Sequence, residues 1–443
     1  MPRGRRRRVP NLAGWAWSDR VRESFVLAPL AGMVGFTLLA VATAAFDAVL
    51  SAALLAELGA QGLHGALVPV VESANAVLAT AGPATLTVLG VVFSITLVAL
   101  QMATGQLSPR VMYLFTRSWT TKLTLTVFLG TFIYTLGVRY LGGLLEEGEG
   151  PFLPLLSTAV AMVLVVASLA AFVFFVDGAV NMMRATSVLD RVGRRTLAQI
   201  RAVARAAGEG VEPGPAPAGE PVTVRSGAEA GVLTGVDTWR LVRWAERNDA
   251  FVRVLPAVGD YIPAEAPVLR VWAAERPDRP ERAAAALRTG SERSAHHDPV
   301  FGLRQVVDIG VRALSAAVND PTTAVQCIDR VQPLVEEFAE LPGDACVLCG
   351  RGGAPRVRLP LPGWENVVEV AFTELVLESG GQPQVSRRLM AALRDIEAAV
   401  PERRRPAVRA RIEELRRVCA RSLPREVLAF ALAPDRQGLG GGR

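Results

Sequence analysis

Arg304, Asp308 and Arg312 follow one another at intervals of four residues in a segment with a helical pattern of apolar positions. Residues four apart lie on one face of a helix, so two guanidinium groups flank one carboxylate, with Gln305 beside them. Such a face can dock helices or subunits together through ion pairs. It can also form a polar pocket in which Arg304 and Arg312 bind an anionic ligand. The pattern predicts an interface or a ligand site and leaves both open.

The motif Asn319-Asp320-Pro321 follows this face a few residues later. Asn and Asp favour turns, and either side chain can cap a helix that starts at Pro321. A capping role alone explains most of the motif. The candidate residues for a cytoplasmic ligand site or interface are therefore Arg304, Gln305, Asp308, Arg312, Asn319 and Asp320.

A second candidate set lies in an apolar stretch near the N-terminus. Small and weakly polar residues recur there at near-helical spacing: Thr87, Gly90, Ser94 and Gln101, with Thr104 beside them. In a membrane, such a stripe lets helices approach closely and form hydrogen bonds. In an oligomer it can instead face a water-filled pathway, because a glutamine is costly in lipid unless it has a partner or contacts water. We take these five residues as candidate pore-lining residues.

Signals for catalysis or metal binding are weak. His296-His297-Asp298 could supply a base, but no nucleophile motif accompanies it, so the sequence predicts that the protein is not an enzyme. Cys346 and Cys349 form half of a zinc site, but no second pair stands at a suitable spacing. We therefore expect no metal and no cofactor.

Four long apolar runs must position the weakly polar stripe. Each is long enough to cross a hydrocarbon core, which takes about 20 residues as a helix. The runs are Val26 to Phe46, Pro83 to Ala103, Leu123 to Leu141 and Phe152 to Val176. Their charged residue is Arg139, near the end of the third run, so a proton-driven or ion-driven carrier is not expected.

Basic residues indicate how the runs are oriented. The N-terminal segment 1–25 carries five early arginines, and basic residues also follow the second and fourth runs, whereas acidic residues separate the third and fourth. By the positive-inside bias, both termini are predicted to be cytoplasmic. The net charge of +6 accompanies no nucleic-acid-binding motif, so we expect no nucleic-acid partner.

The membrane domain is predicted to span 26–180 and to include an apolar extracytoplasmic segment, 47–82. That segment has helical pieces too short to span. It can cap the bundle at the interface, enter the membrane as a re-entrant hairpin, or contact other subunits.

The remainder of the chain reads as a cytoplasmic α+β region. A helix and linker, 185–221, precede a small β-barrel or sandwich, 222–272, a helical domain, 281–425, and a flexible tail, 426–443. The predicted strands are Val222 to Arg225, Gly231 to Val236, Leu241 to Trp244, Phe251 to Leu255 and Val268 to Trp272. The stretch Leu255 to Leu269 resembles the hairpins of lipoyl- and biotinyl-type domains, but this region has no lysine to carry a cofactor.

Two longer phrases carry a family resemblance. One is Phe93 to Gln101 with the Ser108-Pro109-Arg110 after it, and the other is His297 to Ala324. With them, the chain resembles the bacterial predicted membrane proteins catalogued as domain of unknown function 2254, from the first run to about Val418. The resemblance implies membrane spans and a cytoplasmic domain and supplies no established activity.

Together these features predict a homo-oligomer in the bacterial inner membrane, with the lipid bilayer and further copies of itself as partners. The favoured function is a passive channel for inorganic ions, in which the second membrane helix lines the pore and the cytoplasmic domain forms a vestibule or gate. The alternative is a non-conducting sensor or scaffold that binds an anionic cytoplasmic ligand through Arg304 and Arg312.

Overall fold

The computed structural model describes residues 26–106, 119–149, 152–208, 217–227, 229–293 and 297–439 of the 443-residue chain. Within these ranges, the side chains of 55–68, 99–100, 102–106, 146–149, 182–183 and 206–208 are not described. The described residues divide into two compact units. The membrane unit contains 26–105 and 119–184, and the C-terminal unit contains 185–439.

Three long helices build the membrane unit: α1 Leu27–Gln106, α2 Trp119–Glu149 and α3 Leu155–Met183. They contain four segments long and apolar enough to cross a membrane: Leu27–Leu54, Pro69–Val98, Trp119–Leu145 and Leu155–Asn181. Each exceeds the roughly 20 residues that a hydrocarbon core requires. The prediction of four apolar membrane helices is confirmed.

The two halves of α1 run in opposite directions along α2. Three close pairs and one pair within a shared hydrophobic cluster show this: Gly32 with Thr126, Ala40 with Gly137, Gly82 with Thr135, and, in the cluster, Val92 with Phe128. From the first pair to the second, the residue numbers rise on both helices, so the first half of α1 runs parallel to α2. From the third pair to the fourth, they rise on α1 and fall on α2, so the second half runs antiparallel to it. The chain therefore reverses between 54 and 69. Glycines at three of the four pairs allow the helices to approach closely.

The segment 47–82, predicted as a separate extracytoplasmic element, is helical throughout. Its first part, Asp47 to Leu54, belongs to the first span, and its last part, Pro69 to Gly82, belongs to the second. Alanine and leucine, both strong helix formers, are frequent in these parts and continue the helix beyond each predicted run.

Asp47 is fully buried and caps the N-terminal end of α3. Its two carboxylate oxygens accept hydrogen bonds from the backbone N–H groups of Leu156 and Ser157, each at 2.9 Å. The Ser51 hydroxyl accepts a bond from the Leu153 N–H at 3.0 Å. The first N–H groups of a helix have no partner within the helix, so these contacts tie the start of α3 to α1.

The C-terminal unit begins with α4 Ala185–Gly208, which is amphipathic. Strands β1 Val222–Arg225, β2 Gly231–Val236, β3 Phe251–Val254, β4 Tyr261–Ile262 and β5 Pro267–Trp272 follow, with β6 Leu287–Gly290 after the short helix Glu281–Ala284. Two further strands come later in the chain, β7 Ala345–Cys349 and β8 Pro355–Pro360. The sheets have the orders β1-β5-β3-β8-β7 and β4-β2-β6. Both sheets contribute to one hydrophobic core, and their described strands form no closed barrel.

The predicted strand Leu241 to Trp244 is instead part of a helix, Thr238–Arg247. Asp237 caps this helix by accepting the Arg240 N–H at 3.0 Å. Leu241, Val242, Trp244 and Ala245 are buried on it. The apolar pattern of Leu241 to Trp244 covers only four residues, so it fits a strand as well as one helical turn. The cap at Asp237 favours the helix.

A β-hairpin interrupts the region 281–425, which was predicted to be helical. Strands β7 Ala345–Cys349 and β8 Pro355–Pro360 pair antiparallel, and β8 pairs parallel to β3. The sheet thus combines strands about 100 residues apart in sequence. The predicted boundary between a β domain and a helical domain does not separate the observed elements.

Helices cover the rest of the C-terminal unit. Together with α4 they are Pro299–Leu314, Pro321–Phe338, Trp364–Glu378, Pro383–Ala399, Arg405–Ser422 and Arg425–Leu432, with a 3₁₀ turn at Glu402–Arg404. The tail 426–443, predicted to be flexible, includes most of the helix Arg425–Leu432; beyond it, Asp435 lies 3.8 Å from Arg387 and Arg436 pairs with Asp395 at 2.6 Å. Residues 440–443 lie outside the described residues.

Candidate functional site

The weakly polar stripe lies on the outside of the membrane unit. Thr87, Gly90, Ser94 and Gln101 are all exposed, and the side chain of Thr104 is outside the described set. The hydroxyls of Thr87 and Ser94 donate to backbone oxygens one turn earlier, at 2.9 and 3.0 Å. A Cβ at Gly90 would meet no atom within 4 Å. The described helices therefore do not use this stripe to pack against one another.

Arg304 is held by two carboxylates of its own chain. Its Nε donates to Asp308 at 2.6 Å, and its two terminal nitrogens donate to the two oxygens of Glu374 at 2.5 and 2.7 Å. Hydrogen bonds to Glu374 are the main cause that raises the pKa of Arg304. Glu374 lies on Trp364–Glu378, so the contact joins two helices. This geometry favours the docking-face interpretation over an anion site.

The other candidate residues of this region are spread along the helix and its end. Arg312 lies two turns beyond Arg304, about 12 Å along the axis at 1.5 Å per residue. Gln305 is buried, while Asp320 caps Pro321–Phe338 by accepting the Thr323 N–H at 3.0 Å. Asn319 has a φ of 47° and accepts a bond from Gln382 at 2.8 Å. Asn tolerates this left-handed conformation, so the Asn-Asp-Pro motif has a clear role in the turn and cap.

Cys346 and Cys349 lie on one strand, β7. Among the described residues, no group of three or more His, Cys, Asp or Glu side chains could hold a metal. Burial raises the pKa of Cys346 to about 11, and it also raises the pKa of Cys327 and Cys419.

We expect one of the four cysteines, Cys349, to react quickly with a maleimide in the folded protein at pH 8. It is half-buried, whereas Cys327, Cys346 and Cys419 are buried. A thiol of pKa about 11 is ionised in only about one molecule in a thousand at pH 8. Mass spectrometry should find one adduct on the native chain and four after denaturation. Cys349→Ser should remove the native adduct, and rapid labelling of a second site would contradict this burial pattern.

Asp298, noted in the sequence after two histidines, is buried and pairs with Arg293, whose side chain is 42% exposed. Its Oδ2 accepts from Arg293 Nε at 3.1 Å and Nη2 at 3.0 Å, and its Oδ1 accepts the Phe301 N–H at 2.9 Å. Burial is the main cause that raises the pKa of Asp298, while the Phe301 N–H and Arg293 act in the opposite sense. Asp298 thus both caps Pro299–Leu314 and neutralises Arg293. His297 is half-buried beside it, and His296 is outside the described residues.

Gly259 allows the chain to pass close to this ion pair. Its φ is 99°, and a Cβ there would lie 2.2 Å from Arg293 Nη2 and 2.4 Å from Asp298 Oδ2. The Gly259-Asp260 pair is a turn signal in the sequence. No sequence pattern indicates that this turn contacts Arg293, or that Arg304 pairs with Glu374, because both contacts depend on packing between distant segments.

Comparisons with known proteins place the chain in a family without an assigned activity. The model of a family described as predicted membrane protein, domain of unknown function 2254, matches residues 22–395. Uncharacterized proteins of Mycobacterium tuberculosis and Mycobacterium bovis are each 29% identical over 365 residues, covering 80% of this chain and 69% of the relative. No solved structure matches the chain. The chain belongs to the family of predicted membrane proteins catalogued as domain of unknown function 2254.

Proposed function

We propose that the protein forms a homo-oligomeric, passive ion channel in the bacterial inner membrane. The second half of α1 lines the pathway, and the C-terminal unit forms a cytoplasmic vestibule or gate. The observation that carries this proposal is the exposure of Thr87, Gly90, Ser94 and Gln101 on the membrane unit.

Exposure matters because the alternative use of the stripe is packing between helices. The first, third and fourth spans leave this face uncovered, so a contact that covers it must come from outside the described chain. The Thr87 and Ser94 hydroxyls bond to the backbone and can still accept hydrogen bonds from water. The amide of Gln101 is costly against lipid and inexpensive against water. A water-filled path between copies of the chain satisfies all four residues.

The ionisable residues of the described spans support a passive mechanism. Asp47 is buried, but both its oxygens are used to cap α3. The other charged residues of the spans, Glu72, Lys122, Arg139 and Asp177, lie nearer to span ends than to span centres. Proton-driven transporters place ionisable relays at membrane depth. The described spans offer no such series of residues.

The test is single-channel recording of the purified protein in planar bilayers, first in symmetric salt and then with cation and anion substitutions. We expect discrete currents from the wild-type protein. Ser94→Leu and Gln101→Leu narrow the proposed path and remove its polar groups, so each should lower the unitary conductance by about half or more.

The matched control is Val166→Leu, an exposed apolar position on α3. It should leave the conductance unchanged. Absence of current from the wild type over a range of voltage, tension and calcium would overturn the proposal. Equal effects of the control and the two α1 variants would overturn the assignment of the lining helix.

A further inference from the structure

A cavity of about 150 Å³ lies within the C-terminal unit, between the sheets and the start of Pro299–Leu314. Most of its wall is apolar and comes from several elements: Val236, Val254, Val258, Val300, Leu348 and Leu359. A cavity of this volume can hold a molecule as small as benzene. The apolar part of the wall therefore accommodates a compact apolar group.

Charged groups gather on one side of this cavity. Asp260, Arg293, His297 and Asp298 all line it. Arg293 is already paired with Asp298, which is 3% exposed. Asp260 accepts the Ala257 N–H through Oδ2 at 2.8 Å, and its carboxylate has further acceptor capacity. Apart from His297, the two carboxylates and the one guanidinium of the lining carry a net charge of −1.

The net negative charge of the lining favours a cationic ligand over an anionic one. An anion could reach the Arg293 donors that Asp298 does not use, but it would also meet the carboxylates of Asp298 and Asp260. A cation meets an excess of negative charge. If it carries N–H groups, it can also donate to carboxylate oxygens that still have acceptor capacity. Burial raises the pKa of Asp298, so a second cation nearby would stabilise its charged form.

We propose that this cavity binds a small organic amine, with an apolar body among the valine and leucine side chains and an ammonium group directed to Asp260 and Asp298. Binding of the amine can be measured without any measurement of conduction. Amine binding here would link the C-terminal unit to the concentration of a small metabolite.

The test uses three probes of similar size and different charge: benzylamine, benzyl alcohol and benzoate. Isothermal titration calorimetry on the purified full-length protein in detergent measures their binding. We expect saturable binding of benzylamine, at least about tenfold weaker binding of the alcohol, and no binding of benzoate, because the charge-assisted hydrogen bond is lost.

Two variants locate the site. Asp260→Asn keeps an oxygen that can accept the Ala257 N–H, so the turn is retained while the charge is lost, and binding of benzylamine should weaken by about tenfold or more. Val300→Trp fills the cavity from the first turn of a helix and should abolish binding. Asp278→Asn, at an exposed aspartate outside the cavity lining, should bind as the wild type does.

Any one of three results would overturn the proposal. Tighter binding of benzoate than of benzylamine would reverse the assigned charge preference. No heat with any probe, at protein concentrations suited to millimolar affinity, would remove the site. Undiminished benzylamine binding by both Asp260→Asn and Val300→Trp would place the amine elsewhere. The circular dichroism spectrum and melting temperature of each variant show whether lost binding reflects lost folding.

Discussion

Replacing Arg404 with alanine should lower the free energy of unfolding by about 3 kcal/mol, because buried carbonyl groups would lose their donor. Arg404 is 7% exposed and donates to the backbone oxygens of Phe338, Ala339 and Leu341, at 3.2 Å in the case of Phe338. These oxygens lie at and just beyond the C-terminal end of Pro321–Phe338, where helical carbonyls lack partners. The guanidinium also lies 5.3 Å from the centre of the Trp364 ring.

Urea unfolding in mild detergent, followed by tryptophan fluorescence, measures this loss. Arg404→Lys should recover only part of it, since an ammonium cannot reproduce the planar fork of donors. The control is Arg403→Ala at the adjacent exposed position, which should change stability by less than about 0.5 kcal/mol. Equal losses at 403 and 404 would mean that the carbonyl contacts contribute little.

Replacing Asp47 with alanine should destabilise the membrane unit by about 2–4 kcal/mol, because the N–H groups of Leu156 and Ser157 would become buried and unpaired. Water cannot replace the carboxylate easily, since Asp47 has no exposed surface. Asp47→Asn retains one oxygen acceptor and should lose roughly half as much. We expect the midpoint of detergent denaturation to be highest for the wild type, lower for Asp47→Asn and lowest for Asp47→Ala.

Asp177→Ala serves as the control within the same unit. Asp177 is exposed and accepts a bond from Asn181 at 3.1 Å, so its loss should cost less than about 0.5 kcal/mol. The measurement is titration with sodium dodecyl sulfate, monitored by circular dichroism of the helices. If Asp47→Ala unfolds at the wild-type midpoint, the cap is not a determinant of stability.

Local patterns predicted many elements correctly. The strands Val222–Arg225 and Gly231–Val236 begin and end where the alternation of the sequence places them. The helix predicted to begin the segment 185–221 is observed as Ala185–Gly208. Such elements are determined by neighbouring residues: alternation for strands, helical periodicity for α4, and glycine or proline at the breaks.

Non-local pairing accounts for most of the wrong predictions. The hairpin of β7 and β8 joins the sheet through β3, and nothing in 345–360 identifies that partner. The tail around Asp435 likewise contacts Arg387 and Arg388, which lie on the distant helix Pro383–Ala399. Such contacts depend on the order in which elements pack, which a local pattern does not contain.

The sequence by itself determined the four apolar helices, the change to a charged α+β region and the family to which the chain belongs. Length, hydrophobicity and long specific phrases carry that information locally. Only the tertiary structure decided that Arg304 pairs with Glu374, that the weakly polar stripe is left exposed, and that Asp260 and Asp298 line one cavity. Each of these facts depends on the approach of residues distant in sequence, which folding alone brings together.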